Sequence, residues 1–111
     1  MGGEWFETYQ TGKTAQDAFD GAVKQAEYDY GHRGYTGTIA EKTSFVIIPL
    51  KYGYSPELYA EKLNEEDDER ICDKWGDAGC IEVPENFYDE ISTEKPKAGE
   101  KLFLFFGWAS S

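Results

Sequence analysis

Glu57, Glu61 and Glu65 recur at a four-residue spacing, and Glu66, Asp67, Asp68 and Glu69 follow without a break. On a helix each four-residue step rises roughly 6 Å and returns to the same face, so the three glutamates form one row of carboxylates. Negative charge at that spacing resembles a phosphate backbone to a basic groove. The plainer use of such a row is a solvated helix face that keeps the chain soluble. Calcium chemistry does not fit. A calcium loop alternates acids with other residues and needs Gly at its sixth position and Glu at its twelfth, which Asp67-Asp68-Glu69-Arg70 cannot begin. Trp75, beside Gly76 and between Asp73 and Asp77, supplies the kind of apolar anchor that dominates interfaces when it is buried there, or else caps the core. Further acids at Glu82, Glu85, Asp89, Glu90 and Glu94 extend the same surface if folding brings them to one side.

A second constellation is the loop 31–37, Gly-His-Arg-Gly-Tyr-Thr-Gly. Glycines let a backbone approach a ligand, and successive amides can cradle an anion. His32 and Arg33 are a rare basic pair on this chain, and Tyr30 and Tyr35 can stack on a base. Tyr30, His32, Arg33, Gly34, Tyr35 and Gly37 therefore form a candidate site for a nucleotide or another phosphate compound. The spacing is neither a P-loop nor a dinucleotide fingerprint, because the loop leaves a helix instead of opening one. A tight turn with left-handed glycines is the plainer reading. His32 is the single histidine. No nucleophile motif accompanies it, and His32, Cys72 and Cys80 have no zinc-site spacing. A non-enzymatic protein with no cofactor and no metal is expected.

Charge narrows the partners. The chain has 111 residues, with 22 acidic against 11 basic side chains and a formal net charge of −11. Aromatic residues make up 16 %, so the composition is that of a folding chain and not of an acidic disordered tail. Direct binding to nucleic acid would set like charges against each other and release no counterions. An anionic membrane surface is disfavoured for the same reason. No run reaches the 18 or so apolar residues of a membrane span, and the first residues have no basic or apolar stretch of a secretion signal. A cytoplasmic chain with reduced cysteines is expected.

These groups are positioned by elements read from local pattern. Residues 4–10 read as an aromatic strand. Thr14 caps a helix in which Ala15, Ala18, Phe19, Ala22, Val23, Ala26 and Tyr30 form one apolar stripe, ended by Gly31. Residues 38–41 look extended. Residues 44–50, a near-continuous apolar run, read as a strand buried on both faces, with Pro49 at an edge or bulge. Ser55-Pro56-Glu57 starts a second helix running to about Glu66, with Leu58, Tyr59 and Leu63 inward. Residues 71–75 and 79–84 read as a hairpin in which Cys80 faces Trp75 and not Cys72. An irregular connection over 85–100, with one turn at 85–91, leads to a last apolar strand over 101–108. The fold class expected is α+β: a single domain over 1–111, a mainly antiparallel sheet of five or six strands, and two helices packed on one face.

The segments Gly34-Tyr35-Thr36-Gly37-Thr38-Ile39-Ala40-Glu41-Lys42 and Asp73-Lys74-Trp75-Gly76-Asp77-Ala78-Gly79 resemble those of a group of small bacteriophage and prophage proteins with no assigned activity. The resemblance implies a setting in which small acidic proteins bind and disable a host machine, as several inhibitors of host defence do by occupying nucleic-acid grooves. The function expected is thus a phage-encoded, acidic interaction protein that inhibits a basic, nucleic-acid-handling host protein. Glu57, Glu61, Glu65, Glu66, Asp67, Asp68, Glu69 and Trp75 would form its contact face. The alternative is sequestration of a nucleotide or phosphate compound at the loop 31–37.

Overall fold

The structure, a computed structural model, describes residues 2–31, 36–91 and 95–111. In chain order its elements are β1 (Gly3–Gly12), α1 (Ala15–Tyr30), β2 (Phe45–Ile47), α2 (Pro56–Glu65), β3 (Ala78–Glu82) and β4 (Lys101–Ser110), with 3₁₀ turns at Ile39–Glu41 and Glu85–Glu90. The four strands form one sheet in the order β1-β4-β3-β2. β4 pairs antiparallel with β1 and with β3, and β2 pairs parallel with β3. The sheet is therefore mixed and four-stranded, which corrects the expectation of five or six mainly antiparallel strands.

The helices also lie differently from the expectation of one covered face. Successive residues of a strand point to opposite sides, and β4 is apolar at both sets of positions. Phe103, Phe105 and Ala109 pack with Phe19 and Ala22 of α1, Phe6 and Phe45. Leu102, Leu104 and Phe106 pack with Ala60 and Leu63 of α2, Ile71 and Ile81. α1 and α2 thus cover opposite faces, because β4 has no side that tolerates water. On the α1 side Phe19, Phe45 and Phe105 form a ring triad with centroids 5.0 to 5.8 Å apart.

Local chemistry explains where the elements begin. The Thr14 hydroxyl accepts the Asp17 amide at 3.1 Å, and the Ser55 hydroxyl accepts the Leu58 amide at 3.3 Å, with Pro56 in the first turn. Within α2 the buried positions are Pro56, Ala60 and Leu63, with Tyr59 packed against them. Leu58, expected inward, is exposed.

Two other segments read as extended are turns. At 38–41 the Thr38 hydroxyl accepts the Ala40 amide at 3.2 Å and closes a 3₁₀ turn. At 71–75 there is no strand, so the hairpin with 79–84 does not form, and β3 takes its partners from β2 and β4. The physical reason is Lys42. Its side chain is only 3 % exposed, and its ammonium donates to the carbonyls of Asp73, Lys74 and Gly76 at 3.3, 3.3 and 2.9 Å. Only a turn aims three nearby carbonyls at one point; a strand alternates them. The run 44–50 forms just the short edge strand β2, with Ile47 exposed and Pro49 ending the ladder. The strand buried on both faces is β4.

Gly79 sits where β3 crosses the ring of Phe106. A Cβ there would lie 2.5 Å from two ring carbons of a fully buried side chain. Gly79→Ala is expected to destabilise the fold by about 1–3 kcal/mol, read as a lower Tm and denaturant midpoint. Both cysteines are free, Cys72 exposed and Cys80 buried. Burial, with the nearby Glu82 charge adding to it, pushes the Cys80 thiol up to about 12. A thiol alkylating reagent at neutral pH is expected to modify Cys72 alone in the native protein and both residues after denaturation, as read by mass spectrometry.

Candidate interaction surface

Alternation along β1 puts Trp5, Glu7 and Tyr9 on the face covered by α2. One row of α2, at positions 57, 61 and 64, faces this side, with Glu57 and Glu61 toward β1 and Asn64 toward Trp108 of β4. The Tyr9 hydroxyl donates to Glu57 Oε1 at 2.8 Å. The Trp108 indole, stacked edge-on against Trp5 at 6.0 Å, donates to Asn64 Oδ1 at 2.8 Å. α2 therefore runs alongside β1 in the opposite direction, with its first turn at Tyr9 and its last at Trp108. Between these two ties stands Glu7, whose Oε2 accepts the Trp5 indole N–H at 2.7 Å.

The electrostatics of this seam are unusual. Desolvation raises the Glu7 carboxyl above the usual carboxylate range; the Trp5 hydrogen bond works against this, and the charges of Glu61 and Glu57 add to the rise. Burial, then the hydrogen bond and charge of Glu57, pushes the Tyr9 phenol well above its ordinary value. Glu57 and Glu61 thus add negative charge around Glu7, although the three carboxylates do not gather closely enough to hold an ion. Two cations of this stretch turn elsewhere: Lys62 pairs with Glu66 at 3.5 Å, and Arg70 with Asp68 at 2.8 Å.

The remaining acids of the row divide by role. Glu65 is exposed in the last turn of α2. Glu66 is the C-cap residue of α2 and is held by Lys62. Asp67 adopts a left-handed backbone with φ 51°. Asp68 accepts the Arg70 amide and guanidinium, and those bonds hold its carboxyl below the usual range. Glu69 is exposed. Glu57 and Glu61 are therefore the members of the expected set that join a wider acidic locus, and Asp68 is a local structural clasp.

Trp75 is 65 % exposed, with the Lys74 ammonium 5.5 Å from its ring centroid. It borders a shallow depression together with Gly3, Cys72 and Trp108. Trp108 in turn reaches the end of α2 through Asn64, so Trp75 lies at the far end of the same seam. The three carbonyls bound by Lys42 fix the turn that presents it. Burial lowers the Lys42 pKa, while the charges of Asp73 and Asp77 oppose that shift.

Negative charge is not confined to this side. Asp17, Asp20 and Asp29 are exposed on α1, across the sheet. Glu82 and Asp89 are paired with Lys101 and Lys95 at 3.4 and 2.7 Å. Glu85 and Glu90 are exposed in the second 3₁₀ turn, and Glu94 lies outside the described residues.

Of the loop candidates, His32, Arg33, Gly34 and Tyr35 lie outside the described residues. Tyr30 is exposed, and Gly37 has φ 71° with the Glu4 carboxylate packed where a Cβ would go. Both border a cleft of about 450 Å³ between β1 and α1, whose described lining includes the carboxylates of Glu4 and Asp29. Those carboxylates oppose an anion, so the described part of the cleft does not favour a phosphate. Among the described residues no group of three or more His, Cys, Asp or Glu is placed to hold a metal ion, and no helix is long and apolar enough to cross a membrane.

Glu7, Tyr9 and Lys42 did not emerge from the sequence. The period of two that places Trp5, Glu7 and Tyr9 on one side was a usable signal for the first two. No family model matches the chain, and no curated protein or solved structure is similar enough to count as a match.

The Glu7 shift has a stability consequence. Its carboxyl is raised in the fold, so between the ordinary carboxylate value and the raised one the folded chain binds more proton than the unfolded chain. Stability therefore falls as pH rises through that window, and the cost persists above it. Glu7→Gln keeps an oxygen for the Trp5 indole and carries no charge. It is expected to raise Tm at neutral pH, to make no difference well below the ordinary carboxylate value, and to flatten the profile between, by calorimetry across pH.

Proposed function

We propose that the protein is a non-enzymatic interaction protein that binds, and thereby inhibits, a basic nucleic-acid-handling partner. Its α2 side is the contact face. The observation that carries this reading is the negative charge that Glu57 and Glu61 add around Glu7. Partial burial of Glu7 beside two like charges on the exposed Glu57 and Glu61 costs stability, and a cationic partner relieves that cost. Exposed Glu65 and Glu69 continue the field, and Trp75 supplies an apolar anchor at its end. The acids of α1 add to the long-range attraction without belonging to the contact. Replacement of phosphate by these carboxylates is the inhibitory step: Lys and Arg that serve a polynucleotide are occupied. The phage setting implied by segments 34–42 and 73–79 suits such a role.

Affinity capture from a bacterial lysate, followed by association kinetics on the captured protein, tests the reading. The captured partner is expected to be basic, to be displaced by duplex DNA, and to associate more slowly as salt rises. Glu57→Gln with Glu61→Gln is expected to slow association about tenfold at low salt. Kinetics independent of salt, or unchanged in the double variant, would remove the polyanion reading.

A further inference from the structure

β1 is ten residues long and ends the sheet: among the described residues no strand pairs with its outer edge. Two bonds show which of its groups are unused. The Ser111 amide donates to the Gly2 carbonyl at 3.2 Å, one step beyond the Gly3–Ser110 pair, and the Val83 amide donates to the Leu102 carbonyl at 2.8 Å. In an antiparallel ladder, hydrogen-bonded and non-bonded pairs alternate. Even-numbered residues of β1 therefore bond to odd-numbered residues of β4, while even-numbered residues of β4 bond to β3. The Ser110 carbonyl agrees, since it points away from β1 and accepts the Gly37 amide at 2.8 Å. The amides and carbonyls of Trp5, Glu7 and Tyr9 consequently face outward along the open edge.

An edge of this kind is a template for another strand, and charge decides which. Self-pairing would bring two chains of net charge −11 together along strands that each carry Glu4 and Glu7. Like charges opposite one another destabilise a strand pair, so a second copy is disfavoured. A cation has the reverse preference. Glu7 is half-buried at the middle of the edge, and the charges of Glu57 and Glu61 act on it from α2, whose first turn is tied to Tyr9. Trp5 and Tyr9 flank Glu7 on the same face and can cover the methylene stem of a lysine or arginine.

We infer that the outer edge of β1 receives an extended basic segment of the partner protein as a fifth strand, with a lysine or arginine opposite Glu7. This rests on the acidic-face reading above and gives it a geometry: backbone hydrogen bonds supply affinity, and the Glu7–Glu57–Glu61 locus supplies selection. The same carboxylates guard the edge against copies of the chain itself.

Two synthetic peptides of about eight residues, matching the strand length, test it: one of alternating lysine and threonine, the other its fully N-methylated counterpart. The second keeps the charge and has no backbone donors. The unmethylated peptide is expected to bind and to slow hydrogen exchange at the amides of Trp5, Glu7 and Tyr9, leaving the even-numbered amides of β1 as they were. N-methylation is expected to weaken binding about tenfold or more, through the lost backbone bonds. Equal binding of both peptides, with exchange at those three amides unchanged, would overturn strand addition while leaving the acidic face as the contact. Binding of neither peptide, and none of polylysine, would overturn both.

Discussion

β4 has no polar side, and the architecture follows from that constraint. Leu102, Leu104 and Phe106 point one way and Phe103 and Phe105 the other, all buried. Burying five such side chains stabilises the fold by on the order of 10 kcal/mol, but only if both faces of the sheet are covered. One helix cannot do this. α1 closes one face with small residues, Ala18, Ala22 and Ala26, that let it approach closely, and α2 closes the other with Ala60 and Leu63. The strand at the centre of the sheet thus decides that two helices lie on opposite sides.

That decision creates the acidic seam. With α2 placed over the face that carries Trp5, Glu7 and Tyr9, its inward row is set by Pro56, Ala60 and Leu63, and of the adjacent row Glu57 reaches Tyr9 of the edge strand while Asn64 reaches Trp108 of β4. Tyr9 and Trp108 anchor the two ends of this row by hydrogen bonds, with the half-buried Glu7 between them. At an effective dielectric near that of a protein surface, neighbouring like charges cost a few kcal/mol at most. The hydrophobic term is larger, so packing wins and the carboxylates stay near one another. The proximity is a by-product of core geometry that electrostatics alone would not choose, and the proposed function rests on it.

Much of the local structure was legible in the sequence, and the long-range structure was not. Thr14 with Asp17, Ser55 with Pro56, and the aromatic runs near both termini announce two helices and two long strands, because caps and periodicities are decided within a few residues. Which apolar run becomes the central strand is not decided locally. The runs at 44–50 and 101–108 look alike, and their fates differ because β4 has partners on both sides whereas β2 has one, with Pro49 lacking an amide to continue. Leu58 was read as inward because it is a large apolar residue, yet it stands five residues from Leu63 and so faces elsewhere on the helix; Ala60, a smaller residue three away, shares the buried face. The row of α2 acids was legible, and its meeting with Glu7 was not, since that depends on which face α2 covers. Lys42 was the deeper miss: a lysine buried on an acidic chain has no local signature, because its carbonyl partners lie more than thirty residues away.

Lys42 also bears on the field of the whole molecule. A cation held by three carbonyls inside the fold still contributes to the net charge, yet it cannot swing out to meet a surface carboxylate. Lys62, Arg70, Lys95 and Lys101 are each engaged with one acid of their own neighbourhood. These pairs are short-ranged and screened, and each neutralises a carboxylate that lies off the seam. The chain therefore uses these cations locally, and the acids left over at Glu7, Glu57 and Glu61 owe their uncompensated state to placement more than to number. A uniformly acidic surface would repel anions and little else. On the reading proposed above, carboxylates left without a neighbouring cation, beside a strand edge with outward amides, would select among cationic partners by backbone geometry as well as by charge.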